Sequence, residues 1–222
     1  VTTGNGNTAI GSYALQANVT GIANTAVGAS ALFDCTGNNN TALGKSAGAN
    51  ITSGGANVAI GYSSLYTSTT QQNNIAIGYQ ALYSTTTSNN LAIGYNSGYA
   101  VTSGNKNIFV GNYAGEDITT GANNIGIGYL ALEAATTGSD NLCVGKNAGD
   151  NLTTGSFNIV VGSGATASSA TVSNEITLGN SSVTSLRCNQ QTISSLSDGR
   201  DKTEVEDLSL GLEFIDTLRP VK

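Results

Sequence analysis

The sequence has few of the residues on which most enzymes and nucleic-acid-binding proteins depend. Its 222 residues include no His, Trp or Met, a single Pro and only 10% charged side chains, and the formal net charge is −6. Phosphate contacts need clustered Lys and Arg, whereas the first 180 residues contain only Lys45, Lys106 and Lys146. No apolar run approaches the roughly 20 residues of a membrane span. We therefore expect neither a nucleic-acid partner nor insertion into a membrane.

The residues that carry catalysis and metal binding are equally sparse. Cys35, Cys143 and Cys188 are odd in number and far apart, which argues against a disulfide framework or a metal cluster and favours free thiols in small buried positions. The nearest approach to a carboxylate pair for glycoside hydrolysis is Glu116 and Glu133, one period apart. The calcium-binding repeat GGxGxD is absent. We expect no metal, no cofactor and no independent enzyme.

A repeat dominates the chain. The frame Asn-x-small-aliphatic-Gly recurs, as in NTAIG, NVAIG and NLAIG, and it degenerates to EITLG in its eleventh copy. Its closing glycines follow one another at intervals of 16 or 17 residues: Gly11, Gly28, Gly44, Gly61, Gly78, Gly94, Gly111, Gly128, Gly145, Gly162 and Gly179. Two short strands and two turns use about that many residues, so the period predicts one coil of a parallel β-solenoid. The predicted fold is all-β, with about eleven stacked coils in residues 1–180.

Period-2 alternation separates a large and a small column of side chains in each frame. The residue after the Asn and the residue two later are mostly aliphatic, from Thr8 and Ile10 onward, and we expect them to form the core. Small residues stand between them, from Ala9 to Ala92, and three residues past the Gly, from Ala14 to Ala148. Since one coil cannot bury both sets alone, one of the two small columns is expected at or near the contact between copies of the chain. The Asn column is expected to form an amide ladder, and the Gly column a corner with positive φ or a close contact.

Two further columns carry aromatic and hydroxyl groups. Tyr62, Tyr79, Tyr95 and Tyr129 follow the Gly directly, and Phe33, Tyr66, Tyr83 and Tyr99 fall five residues after it, so both sets of rings should line up along the solenoid. The first set is a candidate glycan-binding surface; stacking that rigidifies the coils is the alternative, and it needs no ligand. The Thr-rich corners, such as residues 68–70 and 85–87, fit solvated turns better than a flat ice-binding lattice.

The repeats resemble known families of fibrous proteins. The NTAIG and NVAIG frames, each followed by a small-residue strand, are similar to the head repeats of trimeric autotransporter adhesins. The expanded form NNIAIGYQALYSTTTSNNLAIGYNSG is similar to repeats in tail-fibre proteins of bacteriophages and related viruses. The resemblance covers residues 1 to about 180 and implies a left-handed parallel β-roll assembled as a homotrimer. The coils here are longer than the usual adhesin head repeat, which implies larger corner loops.

The chemistry changes near the C-terminus. We divide the chain into the repeat domain at 1–180, a β-type connector at 181–197 and a charged segment at 198–222. SDGRDKTEVEDLSLGLEFIDTLRPV resembles the start of the intramolecular chaperone domain of endosialidases and phage tail fibres, and Ser197, Asp198, Arg200 and Lys202 match its entry motif. The resemblance implies self-cleavage by Ser197 with Lys202 as its base. The spacing of Val205, Leu208, Leu212 and Ile215 predicts a short helix with one apolar seam.

Together these features predict a structural fibre protein of a virion, extracellular and homotrimeric. Its expected partners are other virion or fibre proteins and a host-surface receptor. Because the Tyr column is a candidate glycan-binding surface, a glycan is a candidate for that receptor. Two other classes stay open. One is a trimeric surface adhesin of a bacterium, and the other is a carbohydrate-binding or ice-binding solenoid module.

Overall fold

The computed structural model describes residues 3–187, and the strands between Thr8 and Leu178 form a single parallel β-solenoid. The solenoid belongs to the compact unit Val1–Thr184. Eleven strands of three residues each build one sheet in sequence order. They are β1 (Thr8–Ile10), β2 (Thr25–Val27), β3 (Thr41–Leu43), β4 (Val58–Ile60), β5 (Ile75–Ile77), β6 (Leu91–Ile93), β7 (Ile108–Val110), β8 (Ile125–Ile127), β9 (Leu142–Val144), β10 (Ile159–Val161) and β11 (Ile176–Leu178). The predicted all-β solenoid is confirmed, and the predicted C-terminal helix lies outside the described residues.

Every strand pairs with the same position of the next repeat. Ala26 lies opposite Ala42, and Ala42 lies opposite Ala59, with no shift of register. Ala92 likewise lies opposite Phe109. Because the register follows the repeat, each column of the sequence becomes a column of side chains in space.

The side chains of the strands point the opposite way from the sequence prediction. The small middle residues face the interior: Ala26, Ala42, Ala76 and Ala92 are fully buried. The large aliphatic residues on either side face outward. Ile10 is 60% exposed, Leu43 is 49% exposed and Leu178 is 53% exposed. The expectation that the large columns form the core is therefore wrong.

The same burial excludes the small columns as a surface of contact between copies. The column three residues past the Gly is also interior, since Ala31, Ala47 and Ala81 are fully buried. The physical reason is the size of the coil. Sixteen or seventeen residues wound into one turn enclose a narrow interior, and two large side chains from each strand would overfill it.

The interior admits about one large side chain from the turn of each coil. This side chain comes from one of two columns, which stand four and seven residues after the closing Gly. Where the first is Leu the second is small, as in Leu32/Cys35, Leu65/Ser68, Leu82/Thr85 and Leu132/Ala135; where the first is Gly the second is large, as in Gly48/Ile51, Gly98/Val101, Gly115/Ile118 and Gly149/Leu152. A Cβ added at Gly48 would lie 2.9 Å from Ile51 Cδ1 and 3.0 Å from Leu32 Cδ2. The pairing therefore keeps the core volume nearly constant from coil to coil.

Phe109 is the largest side chain of the core and shows the same compensation across two neighbouring coils. Its ring is fully buried at the middle position of β7, where most other coils have Ala. A Cβ at Gly115 would lie 2.5 Å from its Cε1, and one at Gly98 would lie 3.0 Å from its Cδ2. The glycines around Phe109 thus provide the room that its ring occupies.

A buried asparagine ladder joins the coils, as the sequence predicts. Asn24 donates its backbone N–H to Oδ1 of Asn7 at 2.8 Å, and Asn40 donates in the same way to Asn24 at 2.9 Å. The Asn24 Nδ2 donates to the Gly37 carbonyl at 2.8 Å. Each amide therefore satisfies backbone groups that the turns would leave unpaired inside the protein. Glu175 ends the ladder by donating its backbone N–H to Oδ1 of Asn158 at 3.0 Å.

The closing glycines combine positive φ with close contact between coils. Gly44 has a φ of 135°, and a Cβ at this position would lie 2.7 Å from the carbonyl oxygen of Gly61. Any larger residue would push the coils apart, so both structural roles that the sequence predicts for this column are confirmed.

Candidate functional site

Three of the predicted glycan-site tyrosines form a stacked ladder, which we call the first ladder. The rings of Tyr62 and Tyr79 lie 5.2 Å apart at 14°, and those of Tyr79 and Tyr95 lie 4.9 Å apart at 5°. They are 43%, 41% and 41% exposed in chain order. Lys45 precedes them with its Nζ 5.8 Å from the Tyr62 ring centroid. The predicted alignment is confirmed for these three residues.

Tyr129 does not stack on this ladder. Asn112 takes the aromatic position in the coil between Tyr95 and Tyr129. Tyr113, the next residue, connects them instead: its ring lies 5.2 Å from Tyr95 at 59° and 6.1 Å from Tyr129 at 87°. Tyr113 was not predicted as a site residue, because it stands two residues after its closing Gly whereas the predicted tyrosines follow theirs directly.

Tyr66, Tyr83 and Tyr99 form the second ladder. Both ring-to-ring distances are 5.2 Å, with interplanar angles of 7° and 15°. These rings are half-buried. Burial and the neighbouring phenols, Tyr62 of the first ladder among them, raise the pKa of Tyr83, so its hydroxyl stays protonated at neutral pH. The effect of Tyr62 on Tyr83 indicates that the two ladders lie near each other. Each ladder offers apolar ring faces together with phenol hydroxyls.

A second candidate surface is the outer side of the sheet, which we call the aliphatic face. It consists of the first and third residues of all eleven strands. Its members with 36% or more of the side chain exposed include Ile10, Leu43, Ile93, Ile108, Ile127, Ile159, Val161, Ile176 and Leu178. At about 4.8 Å per coil the face extends for roughly 50 Å. An apolar sheet face of this length is a typical contact surface for another protein molecule.

Threonine hydroxyls form hydrogen bonds between successive coils along most of the solenoid. Thr102 donates its Oγ1–H to the Thr119 carbonyl at 3.1 Å, and Thr119 donates to the Thr136 carbonyl at 3.2 Å. The column lies eight residues after the Gly and consists of Thr36, Thr52, Thr69, Thr86, Thr102, Thr119, Thr136 and Thr153. Such hydrogen bonds from one coil to the next support a structural role for these residues. The Thr clusters are visible in the sequence, but their shared position eight residues after the Gly was not predicted as a column of hydrogen bonds.

Carboxylates replace aromatic rings further along the column of the second ladder. Glu116, Glu133 and Asp150 occupy three successive coils. Burial raises the pKa of Glu133, and the nearby charges of Asp117, Glu116 and Asp150 raise it further. Within residues 3–187, no group of three or more His, Cys, Asp or Glu side chains is placed to hold a metal ion.

Two of the three cysteines are buried free thiols, as predicted. Cys35 and Cys143 have no exposed surface. Burial raises the pKa of Cys143 to about 12 and also raises the pKa of Cys35, so neither is a thiolate at neutral pH. Cys188 lies outside the described residues.

The predicted self-cleavage residues, Ser197 and Lys202, also lie outside the described residues, as do the segment 198–222 and most of the connector. Among the residues that the structure describes, no helix is long and apolar enough to cross a membrane. Comparison with known proteins finds no matching family model, no similar curated protein and no similar solved structure.

Proposed function

We propose that the chain is part of a homotrimeric, extracellular fibre of a virion, in which the solenoid serves as a stiff shaft or knob for host attachment. The observation that carries the proposal is the aliphatic face, an outward apolar surface present in every one of the eleven strands. A monomer would leave this surface in water along its whole length. A fibre of several copies would cover it continuously.

The regular stacking supports a mechanical role. Strand pairing and the asparagine ladder join each coil to the next, as in the bond from Thr25 to Asn40. Threonine hydroxyls add a further bond between most of the coils, as from Thr119 to Thr136. The lateral contact follows the same period, because the aliphatic residues of all strands point to one side. The number of copies, three, rests on the resemblance of the repeats to trimeric adhesin heads and tail fibres.

The C-terminal segment supports assembly by a removable chaperone. Ser197, Asp198, Arg200 and Lys202 match the entry motif of the intramolecular chaperone domain. In full-length protein, cleavage at a bond flanking Ser197 would release that domain after the trimer forms. We expect Ser197→Ala and Lys202→Ala to give uncleaved but still trimeric fibres, and cleavage of Ser197→Ala at the wild-type place and rate would contradict the dyad.

Antibodies raised against the solenoid, residues 3–187, test the proposed location. They should label fibres that project from virus particles, as seen by immunogold electron microscopy. Labelling of a bacterial cell surface and of no virus particle would instead favour the second candidate, a trimeric bacterial adhesin, to which the head-repeat resemblance applies equally.

A carbohydrate-binding module is the candidate that the first ladder favours. Glycan-array binding that Tyr79→Ala and Tyr95→Ala each abolish would assign recognition to that ladder. Unchanged binding in both variants would leave the ladder a purely structural element.

A further inference from the structure

The aromatic column that contains the second ladder is interrupted at one coil. Phe33 and Tyr66 occupy this column, but the coil between them has Ala49. Ala49 is 6% exposed and forms the floor of the interruption. We call this gap the Ala49 slot.

The dimensions of the slot fit one ring. Rings one coil apart in this column lie 5.2 Å from each other, so walls two coils apart are separated by about 10 Å. A ring in van der Waals contact with both walls needs 3.5–4.0 Å on each side, or about 7–8 Å for a flat ring and somewhat more for a puckered one. The slot opens as a pocket of about 300 Å³. Its lining consists of Ser30, Phe33, Asp34, Ser46, Ala49, Asn50 and Tyr66.

Both aromatic walls are supported from behind. Tyr13 packs edge-on against Phe33, with ring centroids 6.4 Å apart at 67°. Tyr83 stacks on the far side of Tyr66 at 5.2 Å. The walls are therefore held by neighbouring coils and need no ordering when a ring enters, which lowers the entropic cost of binding.

The rim of the slot is polar. It has two hydroxyls, Ser30 and Ser46, the carboxylate of Asp34 and the amide of Asn50. None of the side-chain hydrogen bonds within residues 3–187 uses these four groups. Together they offer both donors and acceptors to a ligand edge. Apolar walls with a few convergent polar groups are the usual composition of a small-molecule site.

We propose that the Ala49 slot binds one neutral pyranose unit, with its ring stacked between Phe33 and Tyr66 and its hydroxyls hydrogen-bonded to Asp34 and Asn50. A pyranose has apolar C–H faces and a rim of hydroxyls, which matches the walls and the edge of the slot. The Asp34 carboxylate and the net charge of −6 disfavour an acidic sugar. This site is distinct from the first ladder, and it does not depend on the proposed role as a fibre.

The variant Ala49→Tyr is the most direct test, because it fills the slot with the side chain that the column carries at Tyr66. The chain backbone already accepts aromatic residues in this column, so the variant should fold and melt at or above the wild-type temperature. Glu133→Tyr is the matched control, since it adds a tyrosine to the same column five coils away.

Saturation-transfer NMR on the full chain with the methyl pyranosides of glucose, galactose, mannose and N-acetylglucosamine measures binding. We expect ring-proton signals from at least one of them with the wild type and with Glu133→Tyr. The signals should weaken at least 10-fold in Ala49→Tyr and in Asp34→Ala. The Asp34 side chain is half-buried, and its removal should leave the packing of the core intact. No signal with any of the four sugars, or equal signals in wild type, Ala49→Tyr and Asp34→Ala, would overturn the proposal.

Discussion

Thr85 is the one interior side chain of the solenoid whose hydroxyl is buried without a hydrogen-bond partner among residues 3–187. Thr85 occupies the small position beside Leu82 in the core. The volume of its side chain fits this position, but its hydroxyl lies in apolar surroundings without a partner among the described residues. We expect Thr85→Val to stabilise the fold by about 1–3 kcal/mol, because the buried hydroxyl is removed and the volume is kept. Urea unfolding followed by circular dichroism measures the change.

Thr86→Val is the matched control for that substitution. The Thr86 hydroxyl donates to the Thr102 carbonyl at 3.0 Å at the surface of the coil. Its removal should destabilise the protein by about 1 kcal/mol. If Thr85→Val destabilised the protein as much as Thr86→Val, the Thr85 hydroxyl would have a partner in solution.

Glu133 is expected to weaken the fold at neutral pH. Burial and three neighbouring carboxylates raise its pKa above the ordinary value, so its ionised form is less favourable in the folded state than in the unfolded chain. Glu133→Gln should therefore raise the melting temperature at pH 7. The advantage should shrink as the pH falls through the raised pKa and vanish below about 4.3, where the wild-type carboxyl is also neutral.

Glu175 provides a control of opposite sign. Its Oε1 accepts the Ser168 backbone N–H at 2.8 Å and the Thr177 hydroxyl at 3.0 Å, and the bonds from Ser168 lower its pKa. Its contribution to stability is present above the unfolded pKa and is lost as the pH falls through the folded pKa. Glu175→Gln should lower the melting temperature at pH 7. Equal shifts of the same sign in both variants would contradict this electrostatic account.

In most coils the turn contributes one large side chain to the interior. The coil of β3 has Gly48 with Ile51, and the coil of β4 has Leu65 with Ser68. Converting the first pattern into the second is feasible for the backbone, because Gly48 has a φ of 56° and Leu65 has a φ of 52°. The two side chains of a pair therefore compete for one space.

A double-mutant cycle tests this competition. Gly48→Leu alone should destabilise the protein by about 1–3 kcal/mol through overpacking, and Ile51→Ser alone by about 2–5 kcal/mol through the cavity that it leaves. The double variant should recover most of both losses, and urea unfolding measures all three. Additive losses in the double variant would mean that the two columns do not share one space.

The period, the strand in each Asn-x-small-aliphatic-Gly frame and the asparagine ladder could be predicted from the sequence, because each depends on residues that recur at fixed spacing. The second strand expected in each coil is wrong: within residues 3–187 each repeat has one strand of three residues. Which side of each strand faces inward could not be predicted from the sequence. Alternation distinguishes Ala76 from Ile75 and Ile77, but only the diameter of the closed coil decides that Ala76 faces inward. The exchange of Leu for Gly four residues after most of the closing glycines was the available signal of a narrow interior.

The candidate site was predictable to a similar extent. Tyr62, Tyr79 and Tyr95 stack because they have the same phase in consecutive coils. Tyr113 joins Tyr129 to them from a different column, which requires knowing that both columns lie on one surface. The Ala49 slot exists because Ala49 stands where Phe33 and Tyr66 have rings. This gap can be recognised as a slot only once the rings of the column are known to stack.

At the scale of the whole molecule, the aliphatic face is the surface that a single chain leaves without a partner. It lies on the opposite side of the strands from the column Ala9 to Ala92, one of the two small columns expected at the subunit contact. Two lysines placed at its centre, Ile60→Lys and Ile77→Lys together, should prevent association, because buried charges without partners are strongly unfavourable. The coil itself should stay folded, since both side chains point away from its interior.

Sedimentation equilibrium of the full chain measures whether three copies associate through the aliphatic face. The wild type should have three times the 22.3 kDa mass of one chain, and the Ile60→Lys, Ile77→Lys variant should have the mass of one chain with an unchanged circular dichroism spectrum. A lysine pair at the exposed Thr52 and Thr69 is the control and should leave the mass tripled. A wild-type protein that sediments as a stable, folded single chain would contradict the account.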